Sequence, residues 1–216
     1  MVSGAHLAEF IYASVAIILA PGPSVMFAIA RAVAWGRGTA ILTVLGNAFG
    51  MLLLSLVIAF GLGPLLQRSA ILLISVQFAG GLYLIYLGID ALKHRQLHAD
   101  DLVTIKEDKP NRRDSIRQGF MVGVLNPKAL VFFSAIFPQF VDPEGGSITS
   151  QMVWFGVLFS IMAFFLDGMW AMVVGSSRDW FVKSRGRLVL LRTLGGVVMI
   201  ALGVLVIVPL VFDLVA

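Results

Sequence analysis

The chain has 216 residues, of which 59% are hydrophobic and only 13% charged, and its mean hydropathy is +0.95. Soluble domains carry about 25% charged residues, so the composition excludes a soluble enzyme or regulator and specifies an all-α integral membrane protein. The absence of cysteine excludes disulfides and thiolate metal sites.

A spanning helix needs about 20 apolar residues, and six stretches qualify. The first runs from Leu7 to Ala30 and is interrupted by Pro21-Gly22-Pro23. The first basic residue is Arg31, so the positive start of a cleavable signal is missing and this run is read as a retained helix. The second span covers Thr39 to Gly63 and the third Ile71 to Leu92. The polar, aromatic-poor segment from Lys93 to Arg117 predicts a mobile loop. The fourth span, Gln118 to Phe137, carries Asn126-Pro127-Lys128, and Asp142-Pro143-Glu144-Gly145-Gly146 makes a turn. Met152 to Gly175 and Leu194 to Phe212 complete the set.

Fourteen of the sixteen basic residues fall in the connections after spans one, three and five. Only Arg68 lies opposite, and Lys128 lies within a span. The positive-inside rule then makes these connections cytoplasmic and both termini periplasmic. The basic segments serve topology and anionic lipid, and need no nucleic acid to explain them. One transmembrane domain, 1–216, divides into two halves of three spans, 1–92 and 118–216, joined by the cytoplasmic loop 93–117. An odd number of spans inverts the second half, and each half opens with a broken helix. Paired breaks of this kind point to a transporter's binding site.

Proline removes a backbone donor, so Pro21 and Pro23 free the carbonyls of Ile17 and Leu19, and Pro127 frees that of Gly123. The functional reading is a substrate cavity lined by Pro21, Gly22, Pro23, Asn126 and Pro127; the structural alternative is a kink buried in protein. Lys128, about ten residues from either end of its span, is too deep for easy snorkelling. It could hold a substrate carboxylate, pair with an acid or lose its charge. Asp167 is the one acid deep in a span. It suits a proton-coupling site, a partner for a substrate ammonium or for Lys128, or a hydrogen-bonded buried acid. Trp170, one turn on, is either a cavity wall or packing. Gly46 and Gly50 have the small-xxx-small spacing of close helix pairs, with Asn47 between them as a polar contact to the cavity. Gly80-Gly81, Gly195-Gly196 and Gly203 read the same way, and such faces would suit a homodimer. Glu9, His94 and His98 are most simply solvated. The sequence has no metal-ligand cluster, nucleophile–base motif or phosphate loop, so neither a cofactor nor an enzyme is expected.

These motifs, in this order and over nearly the whole chain, resemble the LysE/RhtB family of bacterial amino-acid exporters. The resemblance rests on Pro21-Gly22-Pro23, Gly36-Arg37-Gly38, Gly46-xxx-Gly50, Gly81 to Gly88, Gly119-Phe120, Asn126-Pro127-Lys128-Ala129 and Pro138 to Pro143. It implies a multi-pass inner-membrane protein exporting amino acids or related metabolites, driven by the proton motive force, and Asp167 matches a commonly acidic position. One departure is Met51, where relatives often carry an acid; either the substrate is less cationic, a small neutral amino acid being the expectation, or coupling rests on Asp167 alone. A passive channel or a membrane accessory subunit is the alternative.

Overall fold

The computed structural model describes residues 4–66, 70–94, 96, 108–142, 145–176 and 185–215. They form helices α1 (Gly4–Leu19), α2 (Pro23–Trp35), α3 (Arg37–Leu66), α4 (Ala70–Lys93), α5 (Arg112–Val124), α6 (Pro127–Val131), α7 (Ile148–Ser176) and α8 (Arg185–Val215). A π turn, Phe132–Ile136, and a 3-10 turn, Phe137–Phe140, extend α6. Four helical stretches are long and apolar enough to cross a membrane: Arg37–Gly61, Ile74–Lys93, Ile148–Ser176 and Thr193–Phe212. Two bent pairs qualify jointly, α1 with α2 at 49° and α5 with α6 and its extension at 42°. Each bent pair counted as one span brings the number to six.

Both bends fall where the sequence places them, and proline is the cause. Pro23 and Pro127 each occupy the first turn of the helix that follows, where the missing N–H costs nothing and the fixed φ favours a helical start. Three boundaries differ from the sequence reading. The fourth span begins at Arg112 rather than Gln118, because Asn111 caps α5 by accepting from the Asp114 amide at 2.9 Å; of the expected loop 93–117, residues 95 and 97–107 lie outside the described residues. The first connection shrinks to Gly36, whose φ of 86° suits only glycine. Arg31, assigned to that connection, sits instead inside α2, buried, its guanidinium 4.5 Å from the Phe27 ring centroid and 4.3 Å from that of Trp35.

Small residues set the packing, as lipid surroundings require. Gly46 and Gly50 of α3 interlock with Gly119 and Gly123 of α5: a methyl on Gly46 would strike the Ile116 carbonyl, and one on Gly119 the Thr43 carbonyl. Along this contact Thr43 faces Gly119 and Asn47 faces Gly123, so the two helices run parallel. In α4 and α8 Gly81 meets Gly203 and Gly88 meets Gly196, an antiparallel register. The small-residue faces offered by the sequence for pairing two copies are thus buried inside one chain.

Candidate functional site

The two breaks meet. Without an N–H at Pro21, the Ile17 carbonyl lacks its helical donor; the Lys128 ammonium supplies one at 2.8 Å and donates also to the Ala20 carbonyl at 2.9 Å. A cation is thereby set at the C-terminal end of α1, where the helix dipole is negative. Asn126 works in two directions. Its side-chain oxygen caps α6, accepting from the amides of Lys128 at 3.0 Å and Ala129 at 3.4 Å. Its amide nitrogen donates to Ser24 Oγ at 3.1 Å, in the first turn of α2. Each break therefore holds the other. The Gly123 carbonyl, expected to be free, accepts from the Asn126 amide at 3.3 Å, because the chain tightens into a turn before Pro127.

Gly22 leaves room for this arrangement: a Cβ there would lie 3.1 Å from Lys128 Cε and Nζ. Gly22 also forms the N-cap of α2 and has no side chain to cap its first amides. Gly195 of α8 approaches the Pro21 carbonyl so closely that a methyl would press on it.

Lys128 and Asp167, 4% and 2% exposed, line one cavity of about 10 Å³ together with Ile17, Ser24, Met51 and Phe159. That volume holds about one water. The two groups are not within ion-pair contact. Asp167 instead accepts from the Asn47 amide at 3.2 Å, and Asn47 is itself buried. One oxygen of each, Asp167 Oδ1 and Asn47 Oδ1, finds no donor among the described residues. Buried acceptors left without donors are costly, so the pair is suited to receive an ammonium or a proton. Met51, where the family resemblance leads one to expect an acid, is in the lining, and Lys128 and Asp167 leave the cavity with one formal charge of each sign.

Apolar residues close both sides. Toward one end stands an aromatic cluster of Phe10, Phe132, Phe133, Phe137, Phe155 and Phe159, whose rings meet at centroid distances of 4.4 to 6.3 Å. Toward the other, smaller side chains of α2, α3 and α7 pack together, among them Val25, Ile29, Ala32, Val44, Ala171 and Val174. Trp170 lies against this second cluster rather than in the cavity lining, and its indole nitrogen has no acceptor among the described residues.

Of the residues singled out in the sequence, Lys128 and Asp167 line the cavity; Gly22 lies against Lys128, Asn47 bonds Asp167 and Asn126 bonds Ser24, while Pro21, Pro23 and Pro127 form the breaks and are not in the lining. Sequence reasoning missed Ser24 and the Ala20 carbonyl. Ser24 had a signal, a hydroxyl in the first turn after a broken helix; Ala20 had none.

Residues 15–209 match the family described as LysE type translocator. The chain belongs to that family. Family membership makes it a multi-pass transporter of the bacterial inner membrane and not an enzyme. It is 31% identical over 136 residues to an uncharacterised membrane protein of Pseudomonas aeruginosa, covering 62% of this chain and 63% of that one. It is 28% identical over 144 residues to the homoserine/homoserine lactone efflux protein of Salmonella typhimurium, covering 67% and 68%. With the threonine efflux protein of Escherichia coli it shares 26% over 159 residues, covering 68% and 76%. The match thus spans just under two thirds of the Pseudomonas relative's length, whereas an uncharacterised Bacillus subtilis membrane protein, 22% identical, is matched over 96% of its length. No solved structure matches the chain.

Proposed function

We propose that this translocator exports a small zwitterionic solute, most simply a neutral amino acid, by alternating access coupled to protons. The observation that carries this reading is the placement of one cation and one carboxyl, Lys128 and Asp167, in a small buried cavity beside two interlocked helix breaks. Homoserine and threonine, named for the Salmonella and Escherichia coli relatives, belong to the same chemical class, while the homoserine lactone also named for the former keeps the amino group without the carboxylate.

The cavity is too small for an amino acid, so the conformer described is closed and transport requires the breaks to part. A substrate carboxylate would meet Lys128 and the uncapped first amides of α2. Its ammonium would meet Asp167 Oδ1 and Asn47 Oδ1, the two oxygens that lack donors. With a carboxylate to hold, Lys128 would leave the α1 carbonyls, loosening the contact that joins the halves of the site. A proton delivered to Asp167 from the periplasm would weaken its hold on the ammonium and favour release. The aromatic and aliphatic clusters are the gates on either side. In this reading the termini are periplasmic, and the end bearing Arg37, Lys93 and Arg112 is cytoplasmic.

The test is uptake of labelled amino acids into inverted membrane vesicles, with and without a proton gradient. Saturable, gradient-dependent accumulation of neutral amino acids is expected. Downhill, non-saturable flux that survives collapse of the gradient would replace this reading with a passive channel.

A further inference from the structure

A second site lies apart from the central cavity. Between the first turns of α3 and α5 and the last turns of α7 is a cleft of about 550 Å³. Three cations line it, Arg37, Lys109 and Arg112, and among the described residues no acid does. Arg37 donates to Ser176 Oγ at 3.4 Å, and none of the three cations pairs with a carboxylate among the described residues. Below the cations the walls are apolar, formed by Ile41, Leu42 and Met172. Met172 is half-exposed on a face of α7 that also carries the exposed Met169 and Val173, so the walls run on into the lipid-facing surface. Gly38 opens the cleft: a Cβ there would meet nothing within 4 Å.

We propose that this cleft binds the phosphate headgroup of an anionic phospholipid, with one acyl chain along the Ile41, Leu42 and Met172 wall. Orientation by the positive-inside rule requires only that cations lie on one side of the membrane. It does not require three of them around one cleft with an apolar floor, whereas a phosphate-bearing amphiphile uses both features. A free anion would use only the charges. The bound lipid would brace α5, and so the Asn126 break that follows it, against α3 and α7. The inference stands whatever solute the central cavity carries.

Native mass spectrometry of the full chain, purified in detergent and offered phosphatidylglycerol or phosphatidylethanolamine with the same acyl chains, tests it. Selective retention of phosphatidylglycerol is expected. Arg37→Gln, Lys109→Gln and Arg112→Gln should each lower retention about fivefold, the weight of one basic residue near an anionic headgroup. Gly38→Phe, which fills the cleft and keeps every charge, should lower it as much. Lys93→Gln, a cation at the same end outside the cleft, should leave it unchanged. Equal retention of the two lipids would overturn the proposal, as would an effect of Lys93→Gln equal to the other three. Displacement of the lipid by glycerol 3-phosphate at matched ionic strength would also overturn it, because the site would then be one for free phosphate esters.

Discussion

Lys128 Nζ sits 2.8 Å from the carbonyl oxygen of Ile17, the acceptor that Pro21 cannot serve. The lysine from the second break thus completes the first, and its charge is held by backbone dipoles instead of a permanent carboxylate partner. A cation held in this way can be released to a competing anion without stranding an acid. Lys128→Met removes that donor and leaves the Ile17 and Ala20 carbonyls short of a partner, at a cost of about 1–3 kcal/mol. The expected outcome is a variant that inserts and purifies with a slightly lowered unfolding temperature and shows no export above background. Undiminished export by Lys128→Met in inverted vesicles would remove the lysine from the site.

Asp167 touches Asn47 and not Lys128, so its substitution should uncouple transport before it unfolds the protein. Asp167→Asn keeps a polar side chain of the same size beside Asn47 but cannot carry a proton. Gradient-driven accumulation should fall at least tenfold, while exchange of labelled for unlabelled substrate at equal concentrations persists at a reduced rate. Retention of full gradient-driven accumulation would assign proton coupling elsewhere.

How much of this could be read from the sequence depended on whether the signal was local. The positions of both breaks follow from prolines, Pro21 and Pro23 in the first and Pro127 in the second, and the spans from runs of apolar residues. Asp167 and Lys128 stood out because charges are rare at that depth. What they touch could not be read: a lysine with an acid in reach of the same cavity suggests an ion pair, yet two carbonyls left open by a proline bend offered better geometry. The Gly46 and Gly50 pair was legible in spacing, but its partner, Gly119 and Gly123 of α5, was not, since four-residue glycine spacing recurs along several helices. The start of α5 was misplaced because a polar first turn resembles a loop until the Asn111 cap is seen. Arg31 was misplaced for the opposite reason, its charge hidden between Phe27 and Trp35 inside α2.

The closed state also makes a prediction about access. Ser24 is buried, bonded to Asn126 across the two breaks, and the chain contains no cysteine. A single Ser24→Cys substitution therefore gives a clean reporter. In resting vesicles the thiol should resist membrane-impermeant reagents from both sides. Adding transported substrate on the cytoplasmic side should raise its labelling rate severalfold as the breaks part. Equal, rapid labelling with and without substrate would mean that the pathway stands open, as in a channel.

The helix pair that carries the second break supplies a last test, one of structure. A methyl on Gly119 would collide with the Thr43 carbonyl, a backbone atom fixed within a buried helix contact. The neighbour cannot rotate away, so α5 must separate from α3, taking with it the turn that aims Asn126 and Lys128. Gly119→Val should therefore cost several kcal/mol, above the ~1–3 kcal/mol usual for overpacking, and should be seen as loss of membrane-inserted protein. Gly38→Ala is the control: the added methyl meets open space, and replacing a helical glycine by alanine stabilises by up to about 1 kcal/mol. Its yield should match or exceed that of the parent. If Gly119→Val accumulated and unfolded like the parent, the parallel α3–α5 contact would not be the frame on which the site is built.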